Sequence, residues 1–418
     1  MSWPPRGPAG GQQAPARAPA GLPRPQLDRG RRRTLLIAVV SIVAIVGVVG
    51  VIVLAAMRSD SAQGSALTLV LAAVPVPLLV GAYLWLDRYE PEPMRFLVAA
   101  LVWGAVISVV IAGSLEWLAQ DAFDASQRTL VVAVAPVVEE SAKGLFVVLV
   151  VAWRRHIVGG ILDGLIYAGL VGVGFAFTEN VLYYSGAYNG LLDPAITGVA
   201  GTSSVFFVRG LLSPFAHPLF TSATGLGIVI AVTSTRRWWR YVAPVIGVAV
   251  AVGLHAAWNG SALIGGARIF LLTYFGAMLP LLAAGIGLAA WARTREQRIL
   301  TRALGDAARR GWLHPAEVHW LVRLGDRAAA RRFAAKVAGP DAAKALHAYQ
   351  QASTEMAFMH DRVLRGTAPA DGISRVHAHL ERMHSWRPFV VMPPVSWSAP
   401  TVPVPPSGLP RPTPGGIA

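Results

Sequence analysis

Eight apolar segments dominate residues 34–293, and each is close to the ~20 residues that a helix needs to cross a bilayer. Segments of this length and polarity match the hydrocarbon interior of a membrane, which leaves few alternative folds. We therefore predict an all-α fold, namely a polytopic helical membrane protein with about eight transmembrane helices. The predicted segments are 34–57, 66–86, 95–118, 129–153, 157–184, 203–233, 241–264 and 269–292.

The composition also indicates a membrane protein. Of the 418 residues, 54% are hydrophobic and 14% are charged, whereas a soluble globular chain usually carries about 25% charged residues. The formal net charge is +15, but the basic residues lie beside the apolar segments and in the tails, where they set membrane orientation. We therefore expect the lipid bilayer, and no nucleic acid, as a partner. The absence of cysteine excludes disulfides, thiolate metal ligands and a cysteine nucleophile.

Composition divides the chain into four regions. Residues 1–33 contain seven prolines and seven arginines, which predicts a disordered basic arm. Residues 34–293 form the predicted eight-span membrane domain. Residues 294–388 are polar, with apolar residues at helical spacing, which predicts a small cytoplasmic helical domain. Residues 389–418 contain nine prolines and are predicted to be a disordered tail.

The loops between the apolar segments differ in their basic residues. One set of loops is rich in arginine, whereas each loop of the other set has a single arginine. Because basic loops remain in the cytoplasm, both termini are predicted to be cytoplasmic. We expect the protein to be integral to a bacterial-type plasma membrane. The single arginines are Arg58, Arg128 and Arg268.

Five titratable side chains interrupt the apolar segments. Burying such a group at the centre of a bilayer costs roughly 3 kcal/mol or more, so the five must face one another or a water-filled cavity. A rise of ~1.5 Å per residue places three of them at similar depth and Glu179 at a shallower level. This clustering predicts a functional site. The five residues are Glu139, Glu140, Glu179, His217 and His255.

These residue types can catalyse hydrolysis in two ways. Two carboxylates and two histidines can deprotonate a water molecule and then protonate a leaving group. Alternatively, two histidines and one glutamate are the ligands of a hydrolytic zinc site, with the remaining glutamate as base. The expected cofactor is therefore Zn²⁺ or none, and both alternatives give peptide-bond hydrolysis inside the membrane. Helical i,i+4 spacing also places Lys143 beside Glu139, and Asn259 beside His255.

Four motifs occur in a characteristic order: EExxK at 139–143, FAFTEN at 175–180, His217 within an apolar segment, and HxxxN at 255–259. In this order they resemble the PrsW family of intramembrane proteases. That family belongs to the wider group that contains the CAAX prenyl endopeptidases and bacteriocin-processing proteins. The resemblance covers about residues 66–290. It implies an intramembrane endopeptidase with membrane protein substrates, which for some members are regulators such as anti-sigma factors.

The resemblance also implies roles for individual residues. Glu139 corresponds to the water-activating glutamate with Glu140 beside it, and two histidines of the family correspond to His217 and His255. These four are the predicted catalytic residues. Glu179 stands where the wider group has the histidine of an FxxxH motif. The supporting residues are Glu179, Asn180, Asn259 and Lys143, and the candidate metal ligands are Glu179, His217 and His255.

Two other function classes fit a set of buried titratable residues. A proton-coupled transporter uses carboxylates and histidines as a proton relay, although transporters often have an inverted repeat and none is evident in this sequence. A catalytically inactive membrane scaffold would be expected to lack Glu139, His217 or His255, and this chain has all three. Arg209 is expected to snorkel at the outer end of its helix.

Overall fold

The computed structural model describes residues 50, 61–89, 91–154, 159–234, 236–264 and 266–394. Within these residues the secondary structure is helical and contains no strand, so the all-α prediction is confirmed for this part of the chain. The predicted basic arm, nearly all of the first apolar segment and most of the proline-rich tail lie outside the described residues. Those three assignments stay predictions.

Seven helices make up the apolar part of the described chain. In chain order they are α1 (Ala62–Leu86), α2 (Met94–Phe123), α3 (Ala135–Arg154), α4 (Ile161–Tyr188), α5 (Gly198–Thr233), α6 (Trp239–Ile264) and α7 (Gly266–Arg309).

Six of these seven helices are long and apolar enough to cross a membrane, by length and composition. The exception is α3, because Glu139, Glu140 and Lys143 interrupt its apolar sequence. It continues towards its N-terminus through the π-helical turn Leu130–Val134 and the short helix Gln127–Thr129. The prediction of a polytopic helical membrane protein is confirmed. The count of eight spans stays a prediction.

Helix α4 is the central helix of the membrane unit. Of its 28 residues, 21 are buried, and it packs against α1, α2, α3 and α5. Small residues allow helices to approach closely in a membrane. A Cβ atom at Gly174 would lie 2.0 Å from the carbonyl oxygen of Leu101 in α2, and one at Gly172 would lie 2.7 Å from the Cα atom of Pro218 in α5. The second contact holds α5 against α4 at the residue after His217.

Helix α5 changes its winding just before His217. Its first part, Gly198–Phe206, continues as a π-helix over Phe207–Leu212, and regular α-helix resumes at Ala216–Thr233. Such π-helical turns occur frequently at functional sites. The interruption places His217 in the first turn of the second part, where its side chain is buried.

Buried polar groups hold the loop between α1 and α2. Both carboxylate oxygens of Asp87 accept the backbone N–H of Glu92, at 3.0 and 3.1 Å. The hydroxyl of Tyr167 in α4 donates to Glu92 Oε2 at 2.6 Å, which fixes the loop to the central helix. Burial raises the pKa of Asp87 to about 7, although the hydrogen bond from Glu92 lowers it.

The described residues from Gln297 onward form a second compact unit. After the end of α7 it contains α8 (Pro315–Val322), α9 (Leu324–Leu364) and α10 (Gly372–Trp386). Helix α9 is broken at Gly339, whose φ is +86°, next to Pro340. The apolar cluster of this unit includes Trp320 and Leu346. The unit is helical, whereas its predicted boundaries and cytoplasmic location stay predictions.

Candidate active site

Four of the predicted site residues converge within the membrane unit. One nitrogen or oxygen atom of each lies within 4.8 Å of the corresponding atoms of the other three. All four side chains are buried, and they come from α3, α5 and α6. We call Glu139, Glu140, His217 and His255 the Glu/His cluster. Their convergence is a structural observation, and their catalytic roles stay a prediction.

Lys143 lies at the centre of the Glu/His cluster. Its Nζ atom donates to Glu139 Oε2 at 3.0 Å and to Glu140 Oε1 at 2.9 Å, and it lies 3.1 Å from His217 Nδ1. An ammonium group has three hydrogens and no acceptor, so these contacts use all of its donors. The side chain is fully buried, and the ring centroid of Phe175 lies 3.7 Å from Nζ.

Glu140 is held at both of its carboxylate oxygens. Oε1 accepts from Lys143 and lies 3.0 Å from His255 Nδ1, and Oε2 accepts from Thr221 Oγ1 at 2.9 Å. Because an ionised carboxylate only accepts hydrogen bonds, Nδ1 of His255 carries a hydrogen, and in the neutral imidazole Nε2 is then the acceptor. Glu140 therefore orients His255.

Glu139 and His255 face each other across a narrow gap. Glu139 Oε2 lies 3.9 Å from His255 Nε2, which is too far for a direct hydrogen bond but suits a bridging water. Glu139 Oε1 has no hydrogen-bond partner within the described part of the chain. The ring of Phe220 stacks on His255 with a centroid distance of 5.3 Å, which fixes the plane of the imidazole. This pair therefore has the unused acceptor atoms of the cluster.

His217 links the cluster to a second ion pair. Its Nε2 lies 2.6 Å from Glu179 Oε2, and Arg209 Nη2 donates to the same oxygen at 2.6 Å. Since His217 Nδ1 accepts from Lys143, Nε2 carries the hydrogen and donates to Glu179. Arg209 Nε donates to Asn180 Oδ1 at 2.8 Å. The guanidinium group of Arg209 is thus paired with Glu179 and Asn180, and its snorkelling at the outer end of the helix stays a prediction.

Asn259 does not join the Glu/His cluster. Its Nδ2 atom donates to the carbonyl oxygen of Val131 at 3.0 Å. Val131 lies in the π-helical turn Leu130–Val134, which leads directly into α3. The amide therefore connects α6 to the start of α3, the helix that carries Glu139 and Glu140. Asn259 thus acts on the site indirectly, by positioning α3.

The Glu/His cluster has the donor types of a hydrolytic metal site, but its centre is filled. The predicted ligand set of Glu179, His217 and His255 is not the set that converges, because Glu179 is bonded to His217 and Arg209. A catalytic zinc commonly has three protein ligands and one open position. Here the ammonium group of Lys143 lies within 3.1 Å of atoms from three of the four cluster residues. As arranged, these residues do not fit a metal ion.

Sequence reasoning missed two residues that hold the cluster in place. Thr221 lies four residues after His217, so helical spacing puts both on one face of α5, and this signal was available in the sequence. Phe220 is one of many apolar residues in a membrane segment, and only the tertiary contact with His255 distinguishes it.

Comparison with known proteins agrees with the resemblance found in the sequence. The model of the PrsW family intramembrane metalloprotease matches residues 92–305, about half of the chain, and this region contains the whole Glu/His cluster. "Protease PrsW" of Clostridioides difficile (strain 630) is 31% identical over 166 residues, which is 38% of this chain and 64% of the relative. "Protease PrsW" of Geobacillus kaustophilus (strain HTA426) is 28% identical over 159 residues, with the same coverage of 38% and 64%.

The chain thus spans a little under two thirds of the length of each of these curated relatives. No solved structure matches the chain significantly. The family match covers the membrane helices that position the cluster, with each glutamate and histidine of the cluster inside it. The chain therefore belongs to the PrsW family of intramembrane metalloproteases.

Proposed function

We propose that this chain is an intramembrane endopeptidase that hydrolyses a peptide bond of a membrane-anchored protein. The observation that carries the proposal is the 3.9 Å gap between Glu139 Oε2 and His255 Nε2. Both atoms belong to buried side chains of apolar helices, and a water between them would meet two acceptors. Membership of a family of intramembrane proteases supports the same reaction.

The proposed mechanism uses Glu139 as the general base. A water in the gap donates one hydrogen to the Glu139 carboxylate and the other to His255 Nε2. As the water oxygen bonds to the carbonyl carbon of the substrate, its proton passes to Glu139. The C–N bond then breaks, and Glu139 returns the proton to the leaving amine, giving one carboxyl and one amino product.

The remaining polar residues position this pair. Glu140 holds His255 in the tautomer whose Nε2 lone pair faces the gap, and Thr221 holds Glu140. Lys143 joins both glutamates to His217. This division of roles makes Glu140 and His217 positioning residues, although adjacent carboxylates look equivalent in the sequence.

The position of the site within apolar helices supports a substrate that is itself in the membrane. We propose single-span membrane proteins as substrates, including regulators of the anti-sigma-factor type that the resemblance implies. The protein is proposed to act in a bacterial-type plasma membrane with both termini in the cytoplasm. The described residues contain no observation that favours a proton-coupled transporter or an inactive scaffold.

The proposal is tested with the full chain in proteoliposomes and a panel of fluorescently labelled single-span substrates. Glu139→Gln removes the proton acceptor and should lower cleavage by about 10²–10⁴-fold, which is the usual contribution of general base catalysis. Glu381→Gln, the same change at an exposed position, is the matched control and should cleave at the wild-type rate. Undiminished cleavage by Glu139→Gln would overturn the assignment.

A further inference from the structure

We infer that the ammonium group of Lys143 takes the place of a metal ion in this site, so that the Glu/His cluster works without a bound metal. The inference departs from the description of the family as metalloproteases. Its catalytic part rests on the proposed function, whereas its metal-binding part is independent of any activity.

The contacts of Lys143 have the lengths of hydrogen bonds and not of metal–ligand bonds. The Nζ atom of Lys143 lies 3.0, 2.9 and 3.1 Å from acceptor atoms of Glu139, Glu140 and His217. These are the distances of hydrogen bonds, whereas zinc lies ~2.0–2.2 Å from its nitrogen and oxygen ligands. The ring of Phe175 also lies against the ammonium group, with its centroid 3.7 Å from Nζ. A metal ion at this centre would have to displace the buried lysine.

Three of the four ring nitrogens of His217 and His255 are used by other contacts. Both ring nitrogens of His217 are used, because Nε2 contacts Glu179 and Nδ1 contacts Lys143. His255 uses Nδ1 on Glu140. The acceptors that remain are His255 Nε2 and the Glu139 carboxylate, and two protein ligands are fewer than the three of a catalytic zinc site. The same two acceptors are sufficient to hold a water.

The cation at the centre of the cluster is a lysine in a chain whose basic residues are mostly arginines. The chain has 37 lysines and arginines, of which three are lysines. Lys336 and Lys344 belong to the second unit, so Lys143 is the one lysine in the first 335 residues. An ammonium group directs three donors tetrahedrally, whereas the guanidinium group of arginine is planar and larger. The geometry of lysine therefore suits the three acceptors that converge here.

The test measures metal binding to the purified full chain in detergent. We expect wild-type protein to contain far less than one equivalent of Zn²⁺, Mn²⁺ or Fe by elemental analysis. In a Co²⁺ titration followed by visible absorbance, Lys143→Met should bind Co²⁺ at least about tenfold more tightly than wild type, because its acceptors are then free. Lys344→Met removes an exposed lysine and is the matched control, which should behave as wild type.

Two results would overturn the inference. They are a stoichiometric metal in the wild-type protein, and a folded Lys143→Met variant that binds Co²⁺ no more tightly than wild type. If Lys143→Met does not fold, the elemental analysis of wild type and the effect of a chelator on its cleavage activity still decide the question. A metal-free wild-type protein without peptidase activity would sustain the role of Lys143 and overturn the proposed endopeptidase function instead.

Discussion

Replacing Thr221 by valine removes one of three donors that hold Glu140 while nearly preserving the shape of the side chain. The Thr221 hydroxyl donates to Glu140 Oε2 at 2.9 Å in a fully buried position. A hydrogen bond to a charged group contributes about 1.5–3 kcal/mol, and about 1.4 kcal/mol corresponds to a factor of ten in rate. Because Glu140 orients His255, we expect kcat to fall by roughly ten- to a hundredfold with KM unchanged.

The assay is cleavage of a single-span substrate in proteoliposomes, with kcat and KM determined separately. Thr221→Ser restores the hydroxyl and should recover most of the rate. Thr224→Val is the matched control, because Thr224 is equally buried on the same helix and, within the described residues, its hydroxyl has no hydrogen-bond partner. If the two valine variants lower kcat equally, Thr221 does not position Glu140 and the reasoning is refuted.

Two further predictions concern the buried carboxylate of the α1–α2 loop and the close approach of α4 and α5. Burial raises the pKa of Asp87 from 3.8 to about 7, so the folded chain keeps a proton that the unfolded chain loses. The stability that this proton contributes is present below about pH 4 and is lost as the pH rises through about 7. As the pH rises from about 4 to about 7, the Asp87→Asn variant should therefore lose less folding stability than wild type. Thermal unfolding followed by circular dichroism at several pH values measures both losses, and equal losses would contradict the prediction. At Gly172 an added Cβ would lie 2.7 Å from Pro218 Cα. Gly172→Ala should therefore lower folding stability by about 1–3 kcal/mol and impair cleavage. Gly253→Ala is the matched control, because a Cβ atom there would meet nothing within 4 Å. Equally mild effects of the two substitutions would show that the close approach at Gly172 is not needed.

Local spacing predicted only part of the polar network. The i,i+4 relation of Glu139 and Lys143 predicted their ion pair, which the structure contains. The contact of the same lysine with His217 joins residues 74 positions apart, and no spacing rule reaches that far. Spacing also placed Asn259 beside His255, yet its amide donates to the backbone carbonyl of Val131, a contact between residues 128 positions apart.

Position along each apolar segment indicates the membrane depth of a titratable residue but not the residue that it pairs with. It placed Glu179 at a shallower level than the other carboxylates, and in the structure Glu179 lies on the far side of His217 from Lys143. It could not reveal that Arg209 neutralises this carboxylate. The partner of a charge depends on how α4 and α5 approach each other, and that approach depends on glycine contacts that a linear sequence does not display.

The sequence by itself determined the helical membrane fold and the residue types of the candidate site. The physical reason is that hydrocarbon demands long apolar helices and makes isolated buried charges costly, so both features are visible in composition and order. Only the tertiary structure decided which carboxylate is held at both oxygens and which, within the described residues, is held at one. Glu139 and Glu140 are neighbours in the chain, but successive residues of a helix point in different directions. Glu140 thus meets Lys143, Thr221 and His255, while Glu139 keeps an oxygen for water.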